Sequence, residues 1–492
     1  MLSALVRFSL TQRLFVLLLV ALAAGMGTRA FLNLPIDAFP DVSTTQVKLI
    51  IKAPGMTPEE VEQRITAPVE VEMLGIPDQR MLRSVAKYGL TAITIDFAEG
   101  TDIYWARQQV SERLSAVWGD LPPDASGGMA PITTPLGEMF MFTIDGGDLS
   151  LAERRSLLDW VIRPALRTVP GVAEVNSLGG HVRTFEVTPN TERMSARGVT
   201  YEQLREALDR NNRNDGAGRV EDGEEALLVR VEGSVTTLDD LRETVVATTP
   251  GGTPIHVTDV AEVRTGSLTR YGAVTQDGEA EAVEGLVLGL RGANARKVVA
   301  GVEAKLDELA PTLPEGVSVD VFYNRAHLVD RAVHTVTKAL GEAIVLVLIL
   351  LVVFLGNLRA AITVALILPL AALVTFILMD RVGMSANLMS LGGLAIAIGM
   401  LVDAAVVVVE NVVAHLAREK EARRLPRLHV IYRAVREVAA PVTSGILIIV
   451  IVFLPLLTLE GLEGKLFKPV ALTIVFALGS SLLLSLTAIP VI

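Results

Sequence analysis

Long apolar runs at both ends of the sequence limit what this chain can fold into. They occupy residues 12–27, 339–379, 388–413, 438–458 and 466–492. A run of about twenty apolar residues crosses the roughly 30 Å hydrocarbon core of a bilayer. The second run is long enough for two such helices and breaks at Gly356-Asn357-Leu358-Arg359. The sequence therefore predicts a first transmembrane helix in residues 1–30 and about five more in residues 336–492.

The first apolar run has an alternative interpretation as a secretory signal peptide. Arg7 and Arg13 would supply its charged region, and Ala23-Ala24-Gly25 is a weak match to a cleavage site. The chain returns to the membrane several times further on, which favours an uncleaved first helix.

The residues between the apolar runs are polar and acidic. By composition, residues 31–335 carry about 46 Asp and Glu against about 29 Lys and Arg, a net charge of roughly −17. Such a domain concentrates cations and repels anions, so no nucleic-acid partner is expected. Solubility alone would explain the same charge equally well.

The Lys and Arg residues indicate the orientation in the membrane. Basic residues mark the cytoplasmic side of a membrane protein. They occur at Arg7, Arg13 and Arg359 and throughout the segment 414–437, and six spans place all of these on one side. We therefore expect a multi-pass protein of the bacterial inner membrane with a cytoplasmic N-terminus and a periplasmic insert at residues 31–335.

The insert contains an internal repeat. Residues of about 45–125 predict the order strand, helix, strand, strand, helix, and residues 136–210 predict it again about ninety residues later. Each unit resembles a ferredoxin-like βαβ module. Residues 284–325 are expected to complete the second module, and the Gly-rich stretch 211–280 to form a smaller docking subdomain. The predicted fold class is a polytopic α-helical membrane protein with a large α+β periplasmic insert.

One apolar helix carries an acidic residue at its centre. Asp403 lies within the run Met389–Asn411, where a carboxylate costs several kcal/mol unless it faces the protein interior or a wet cavity. Such a group can carry protons across a membrane, and a structural hydrogen bond to a neighbouring helix is the alternative. Glu410 follows two turns later on the same face and is a possible second relay group or an interfacial residue.

Candidate metal ligands are few. The sequence has no cysteine, so a soft metal ion would need Met or His. Met389 and Met400 lie three turns apart on one helix face, although packing is the usual role of methionine in a membrane helix. The histidines of the insert are scattered without metal-binding spacing. No phosphate-binding glycine loop occurs, which argues against ATP as the energy source.

Four motifs together resemble the resistance–nodulation–division (RND) efflux permeases. They are Leu34-Pro35-Ile36-Asp37 with Pro40-Asp41, Gly100-Thr101-Asp102-Ile103-Tyr104-Trp105-Ala106-Arg107, Ala386-Asn387-Leu388-Met389-Ser390-Leu391-Gly392, and Thr458-Leu459-Glu460-Gly461-Leu462-Glu463-Gly464-Lys465-Leu466-Phe467. The second and fourth motifs are similar to the heavy-metal efflux branch (CusA/CzcA type). The resemblance covers the whole chain as the N-terminal half of a longer protein, and we interpret the end at Ile492 as a truncation.

The resemblance implies a secondary active transporter rather than an enzyme. It implies proton-driven antiport without a cofactor, the cargo being a heavy-metal cation such as Cu(I), Ag(I), Zn, Co or Cd. It also implies a homotrimer in the lipid bilayer, with a periplasmic adaptor (membrane fusion) protein and an outer-membrane channel. Asp403 matches the proton-carrying Asp of the family, and Met389 matches a methionine of the copper/silver pumps.

Departures from the family pattern leave the metal open. Drug exporters carry two adjacent Asp residues, whereas Ala404 follows Asp403 here. Copper/silver pumps carry further methionines where this chain has Leu401 and Val408, and zinc-type pumps often carry a second Asp. Two other functions were considered, namely a drug exporter and a non-transporting scaffold or protein-export accessory. The 5% aromatic content disfavours the first, and Asp403 disfavours the second.

Overall fold

The chain begins with two helices rather than one. The computed structural model describes residues 2–37, 40–134, 136–222, 225–356, 358–422 and 426–492. Within the predicted helix 1–30, the structure has α1 (Leu2–Thr11) and α2 (Arg13–Asn33), separated at Gln12, which has non-helical backbone angles. Val6 and Leu10 of α1 are buried, and α1 packs on the last two helices of the chain. Of the two, only α2 is long enough to cross a membrane, so the predicted first transmembrane helix corresponds to α2, and α1 is an additional short helix before it.

The first module of the insert has ferredoxin-like topology. Its elements are β1 (Gln46–Lys52), α3 (Pro58–Val61), a π-helical turn (Glu62–Thr66), α4 (Ala67–Met73), β2 (Gln79–Lys87), β3 (Leu90–Phe97), α5 (Ile103–Val117), a 3-10 turn (Trp118–Asp120) and β4 (Ser126–Met129). The antiparallel sheet has the order β2-β3-β1-β4. Leu49, Ile93 and Ile95 of the sheet are fully buried against the helices. The sequence did not predict β4, which is short and contains two glycines.

The second module starts in the same way. Its first elements are β5 (Glu138–Gly146), α6 (Leu151–Leu157), a π-helical turn (Leu158–Ile162), α7 (Arg163–Leu166) and β6 (Val172–Gly179). The π-helical turn of each module precedes a proline, Pro68 or Pro164, by the same number of residues. Since proline cannot donate the backbone hydrogen bond of a regular helix, the repeat extends to this local irregularity.

A separate subdomain then interrupts the second module. It contains β7 (Arg183–Pro189), α8 (Thr191–Arg197), α9 (Tyr201–Asn211), β8 (Asp215–Asp222), β9 (Glu225–Val231), α10 (Leu238–Glu243), β10 (Val245–Thr248), β11 (Pro254–His256), α11 (Val257–Val260) and β12 (Ala261–Ser267). The assignment of 183–210 to the second module was wrong, because β7 pairs with β12 and Leu204 of α9 packs with Leu241 and Val246. The subdomain therefore starts near residue 183 instead of 211.

The chain next returns to the interrupted sheet. The elements that follow are β13 (Val274–Gln276), β14 (Ala280–Gly289), α12 (Ala295–Leu309), a 3-10 turn (Ala310–Thr312) and β15 (Val317–Asn324). β14 inserts between β6 and β5, and β15 pairs with the other edge of β5, which gives the strand order of the first module. Phe140 and Phe142 of β5 are completely buried under the helices.

Five long helices complete the membrane part. They are α13 (Arg325–Leu355), α14 (Leu358–Arg381), α15 (Leu388–Ala422), α16 (Arg427–Leu457) and α17 (Gly461–Thr487). With α2, they make six candidate membrane spans among the described residues. The predicted break between the second and third spans falls at Gly356, which has a left-handed conformation, and Asn357 lies outside the described residues. The basic segment 414–437 connects two of the apolar runs, and its described residues are largely helical, because α15 and α16 extend beyond their apolar parts.

The segment between α2 and β1 joins the two parts of the molecule. We call residues 34–37 and 40–43 the junction segment; Ala38 and Phe39 lie outside the described residues. Ile36 forms a parallel β-bridge with Ala386, between α14 and α15, and the Asn294 side-chain amide donates to the Leu34 carbonyl at 3.3 Å. The first and third sequence motifs therefore meet in space, at the end of the helix bundle that carries the insert. The predicted fold class is confirmed.

Candidate functional site

The start of α15 is fixed by reciprocal hydrogen bonds. The Ser390 backbone N–H donates to Asn387 Oδ1 at 2.9 Å, and the Asn387 N–H donates to Ser390 Oγ at 2.9 Å. Both side chains are buried. An Asn cap of this kind satisfies backbone donors that a helix leaves free at its first turn. Together with the bridge at Ala386, these bonds hold the helix that carries Asp403 at one end.

α15 packs closely against α17. A Cβ atom on Gly393 would lie 2.8 Å from the Val470 carbonyl oxygen, so only glycine permits this approach of the two backbones. Further along, the buried Ser481 hydroxyl donates to the Leu401 carbonyl at 2.8 Å. These contacts determine which face of α15 is covered. Leu401, Ala405 and Val408 on that face are almost fully buried.

The opposite face of α15 is exposed and carries the central acid. We call this face the outward stripe, and it consists of Ile396, Gly399, Asp403, Val407 and Glu410. Asp403 lies 15 residues from either end of the Leu388–Arg418 span. Within the described residues the Asp403 side chain is exposed, and α13, α14, α16 and α17 all contact α15. That its carboxylate faces the protein interior or a wet cavity stays a prediction.

No described residue forms a hydrogen bond or ion pair with the Asp403 side chain. The structural alternative, a hydrogen bond to a neighbouring helix, therefore finds no partner among the described residues. Gly399 leaves an open notch one turn away, because a Cβ atom there would meet nothing within 4 Å. An uncompensated carboxylate is unfavourable in lipid, so the Asp403 carboxylate requires a wet or polar environment.

The two methionines lie at the edge of the same stripe but far apart. Eleven residues of α-helix separate Met389 from Met400 by about 16 Å along the axis. Both side chains are half-buried, and Met400 packs against the apolar core. The two side chains are too far apart to bind one ion together. Their spacing does allow each of them to contact a cation in turn as the cation moves along the stripe.

Glu410 lies about 10 Å further along the stripe than Asp403 and is also exposed. Beyond it, the Asn411 side-chain amide donates to the Ala434 carbonyl of α16 at 2.8 Å. His415 Nε2 lies 3.2 Å from a Glu437 carboxylate oxygen. α15 is thus held by polar contacts to α17 at its middle and to α16 near its other end, while the stripe itself stays open.

The described part of the insert contains no group of three or more His, Asp or Glu side chains arranged to hold a metal ion. One acidic side chain on the second sheet has a shifted pKa. Burial, reinforced by the charge of Glu138, raises the pKa of the Glu284 carboxyl. The Glu284 carboxyl therefore keeps its proton to a higher pH than an exposed carboxyl does.

The sequence did not predict two polar contacts that position the elements around the site. Ser481 was not singled out, although it belongs to a group of serines inside an apolar run, with Ser480 and Ser485. Arg325 was not recognised as the partner of Asp37, which lies 288 residues away. Asp37 was quoted within a motif, but no local pattern identifies the basic residue that pairs with it.

A comparison with protein families identifies the chain. The family model described as the AcrB/AcrD/AcrF family matches residues 5–492. The chain belongs to this family. The predicted resemblance to RND permeases is confirmed, because the AcrB/AcrD/AcrF family consists of RND permeases. Membership also indicates a membrane protein with a transport role.

The relatives of this AcrB/AcrD/AcrF family member include metal-resistance proteins. The chain is 42% identical to the cobalt-zinc-cadmium resistance protein CzcA of Cupriavidus metallidurans, over 100% of the chain and 47% of that relative. It is 36% identical to the cation efflux system protein CusA of Escherichia coli strain K12, over 100% of the chain and 48% of CusA. The chain therefore spans about half the length of the curated relatives it matches.

The fold also matches a solved structure of a heavy metal efflux pump. The TM-score is 0.88 at 36% identity, and the match covers 99% of this chain and 48% of the pump. The predicted similarity to the heavy-metal branch is confirmed by these names and by this fold.

Proposed function

We propose that this chain is the N-terminal half of a proton-driven exporter of heavy-metal cations. The observation that carries the proposal is the Asp403 carboxylate, exposed at the centre of a membrane-spanning helix without a bonding partner among the described residues. A carboxyl group at that depth is expected to be functional. The half of the pump that lies outside this chain would cover the outward stripe and supply the opposing polar groups.

The cargo is proposed from the relatives. CzcA is named for cobalt, zinc and cadmium resistance, and CusA for cation efflux. The acidic insert supports a cation over an anion, because its charge raises the local cation concentration. The metal ion is a substrate of the pump, and no resident cofactor is proposed.

The assembly is likewise a proposal. A homotrimer in the bacterial inner membrane would connect to a periplasmic adaptor protein and an outer-membrane channel, so that the cation leaves the cell envelope in one pathway. The insert of about 300 residues is large enough to offer surfaces to both the neighbouring subunits and the adaptor.

Growth on metals tests this function. A host without its own metal pumps would carry the full-length gene and be grown on Cu, Ag, Zn, Co, Cd and Ni salts. Raised tolerance to at least one metal is expected, in proportion to lowered cell-associated metal. Unchanged tolerance to all six, combined with raised tolerance to organic drugs, would replace this proposal with drug export.

We predict that the N-terminus and the turn at Arg359 are cytoplasmic and that residues 31–335 are periplasmic. The reason is the bias of Lys and Arg toward the end of the bundle opposite the insert. Alkaline phosphatase fusions at residues 120 and 220 should be active, and a fusion at 425 should be inactive. Inactive fusions at 120 and 220 would contradict both the orientation and the export function.

We also predict that Met389→Leu combined with Met400→Leu lowers copper or silver tolerance several-fold, if either is the cargo. Leucine keeps the side-chain volume but removes the thioether that binds soft cations. The matched control is Met379→Leu, because Met379 of α14 is fully buried in the helix bundle. If the double variant and the control grow equally well at equal protein levels, Met389 and Met400 serve packing only.

A further inference from the structure

A cavity of about 290 Å³ opens where the helix bundle meets the insert. It lies between the junction segment, the turn from α14 to α15 and the first turns of α17. Its lining includes Asp41, Met384, Asn387, Lys465, Lys468 and Leu472. None of these residues belongs to the outward stripe, so the cavity is separate from the proposed proton site.

The charge of this cavity is positive. Asp41 lies 2.6 Å from Arg291, so its negative charge is already compensated. Lys465 donates to the Ser43 carbonyl at 2.6 Å, and a neutral carbonyl leaves the ammonium charge uncompensated. Lys468 has no hydrogen bond or ion pair with any described residue. Both lysines line this opening, and the carboxylate that lines it, Asp41, is already paired with Arg291.

The direction of Lys468 supports a site at the membrane surface. A Cβ atom on Gly464 would lie 3.5 Å from Lys468 Cε, so the side chain runs back along α17 toward the start of the helix. Lysines near the ends of membrane helices extend in this way to place the ammonium at the headgroup level. Met384, Pro469 and Leu472 give the same cavity an apolar wall.

We propose that this cavity binds the phosphate of an anionic phospholipid from the leaflet on the side of the insert. The two ammonium groups would contact the phosphate, and the apolar wall would contact the start of an acyl chain. The same two lysines would repel cationic cargo, so this cavity does not favour a metal ion. Basic pockets between membrane helices are suited to anionic headgroups.

The site has a structural consequence for the pump. Lys465 links α17 to the junction segment through Ser43, and the junction segment in turn pairs with the residue before the cap of α15. A lipid held at Lys465 and Lys468 would therefore stabilise the joint between the helix that packs on α15 and the periplasmic insert.

Native mass spectrometry of the full-length protein tests the proposal. The protein would be titrated in detergent with phosphatidylglycerol, with phosphatidylcholine and with inorganic phosphate. The wild type should retain one bound phosphatidylglycerol. The Lys468→Gln variant should bind this lipid roughly fivefold more weakly, which corresponds to about 1 kcal/mol for one lysine. Lys468→Arg should bind like the wild type, since the positive charge remains.

The matched control is Lys338→Gln on α13, on the same side of the membrane, because Lys338 is exposed and pairs with Glu342. It should retain the lipid. Equal phosphatidylglycerol binding by Lys468→Gln and the wild type would overturn the proposal. Equal binding of phosphatidylcholine would show that charge is not recognised, and equal affinity for inorganic phosphate would show that the ligand is not a lipid. Either result would also overturn it.

Discussion

Replacing Asp403 with asparagine should abolish proton-coupled metal transport while the full-length pump still inserts and assembles. Asparagine keeps the size of the carboxyl group but cannot bind and release a proton. No described residue bonds to Asp403, so the change breaks no hydrogen bond or ion pair within the described part of the chain. Removing a charge from the membrane should not weaken the helix bundle.

The measurement is metal flux into reconstituted vesicles under an imposed pH gradient. Asp403→Asn should show the flux of empty vesicles. The matched control is Glu410→Gln on the same stripe, about 10 Å nearer the other end of the helix, which should retain most of the flux. Flux of the Asp403→Asn variant equal to the wild type would exclude Asp403 as the proton carrier, whatever the transported cation.

The second large effect is expected at Arg325, the first residue of α13. Its side chain is 5% exposed. Its guanidinium lies 2.7 Å from Asp37 and donates to the Glu138 carbonyl at 3.3 Å and to the Leu136 carbonyl. Arg325→Met would remove the guanidinium that contacts a partly buried carboxylate and two backbone carbonyls. Breaking a buried ion pair costs about 3–5 kcal/mol, so a clear loss of stability should follow.

Thermal unfolding of the full-length protein in detergent measures this loss. Arg331→Met is the matched control, because Arg331 is exposed on the same helix and should have little effect. Adding Asp37→Asn to Arg325→Met should recover part of the stability, since the carboxylate charge that faced the guanidinium is removed as well. If Arg325→Met and Arg331→Met unfold at the same temperature, the buried pair does not stabilise the joint.

The parts of the fold that depend on local sequence were predictable. The membrane spans follow from uninterrupted apolar runs. The sequence Thr57-Pro58-Glu59-Glu60 has the local pattern of a helix start, and Thr57 accepts from the Glu60 N–H at 3.3 Å. The assignment of β7 failed because its pairing with β12 lies nearly eighty residues away. Arg183–Pro189 has a strand pattern that suits either sheet, and only the buried partners around Leu204 decide between them.

The candidate site likewise has one property that the local sequence predicts and one that it does not. The depth of Asp403 in the membrane follows from its distance to the ends of an apolar run. Its direction does not, because it depends on which face of α15 packs against another helix. That choice rests on Gly393 and Ser481, whose partners Val470 and Leu401 are about 80 residues away in sequence. The cavity at Lys465 depends on three distant segments and has no local signature.

The interruption of the second module affects the order in which the insert can form during synthesis. The first sheet is complete once residue 129 has emerged, because all four of its strands lie within Gln46–Met129. The second sheet must wait for β14, which begins at Ala280, roughly a hundred residues after β6 ends. Until then, β5 has no partner strand, since both of its neighbours are made late.

During that interval, Phe140 and Phe142 lie on a strand that has not yet paired with its neighbours. Non-local strand pairing is slow, and exposed apolar strands of this kind associate with one another. The inserted subdomain has its own small core around Leu204 and Leu241. By folding first, it would bring the two ends of the interrupted module close together and shorten the loop that β14 must close. The subdomain would thus serve the biogenesis of its host module as well as any surface it offers to other chains.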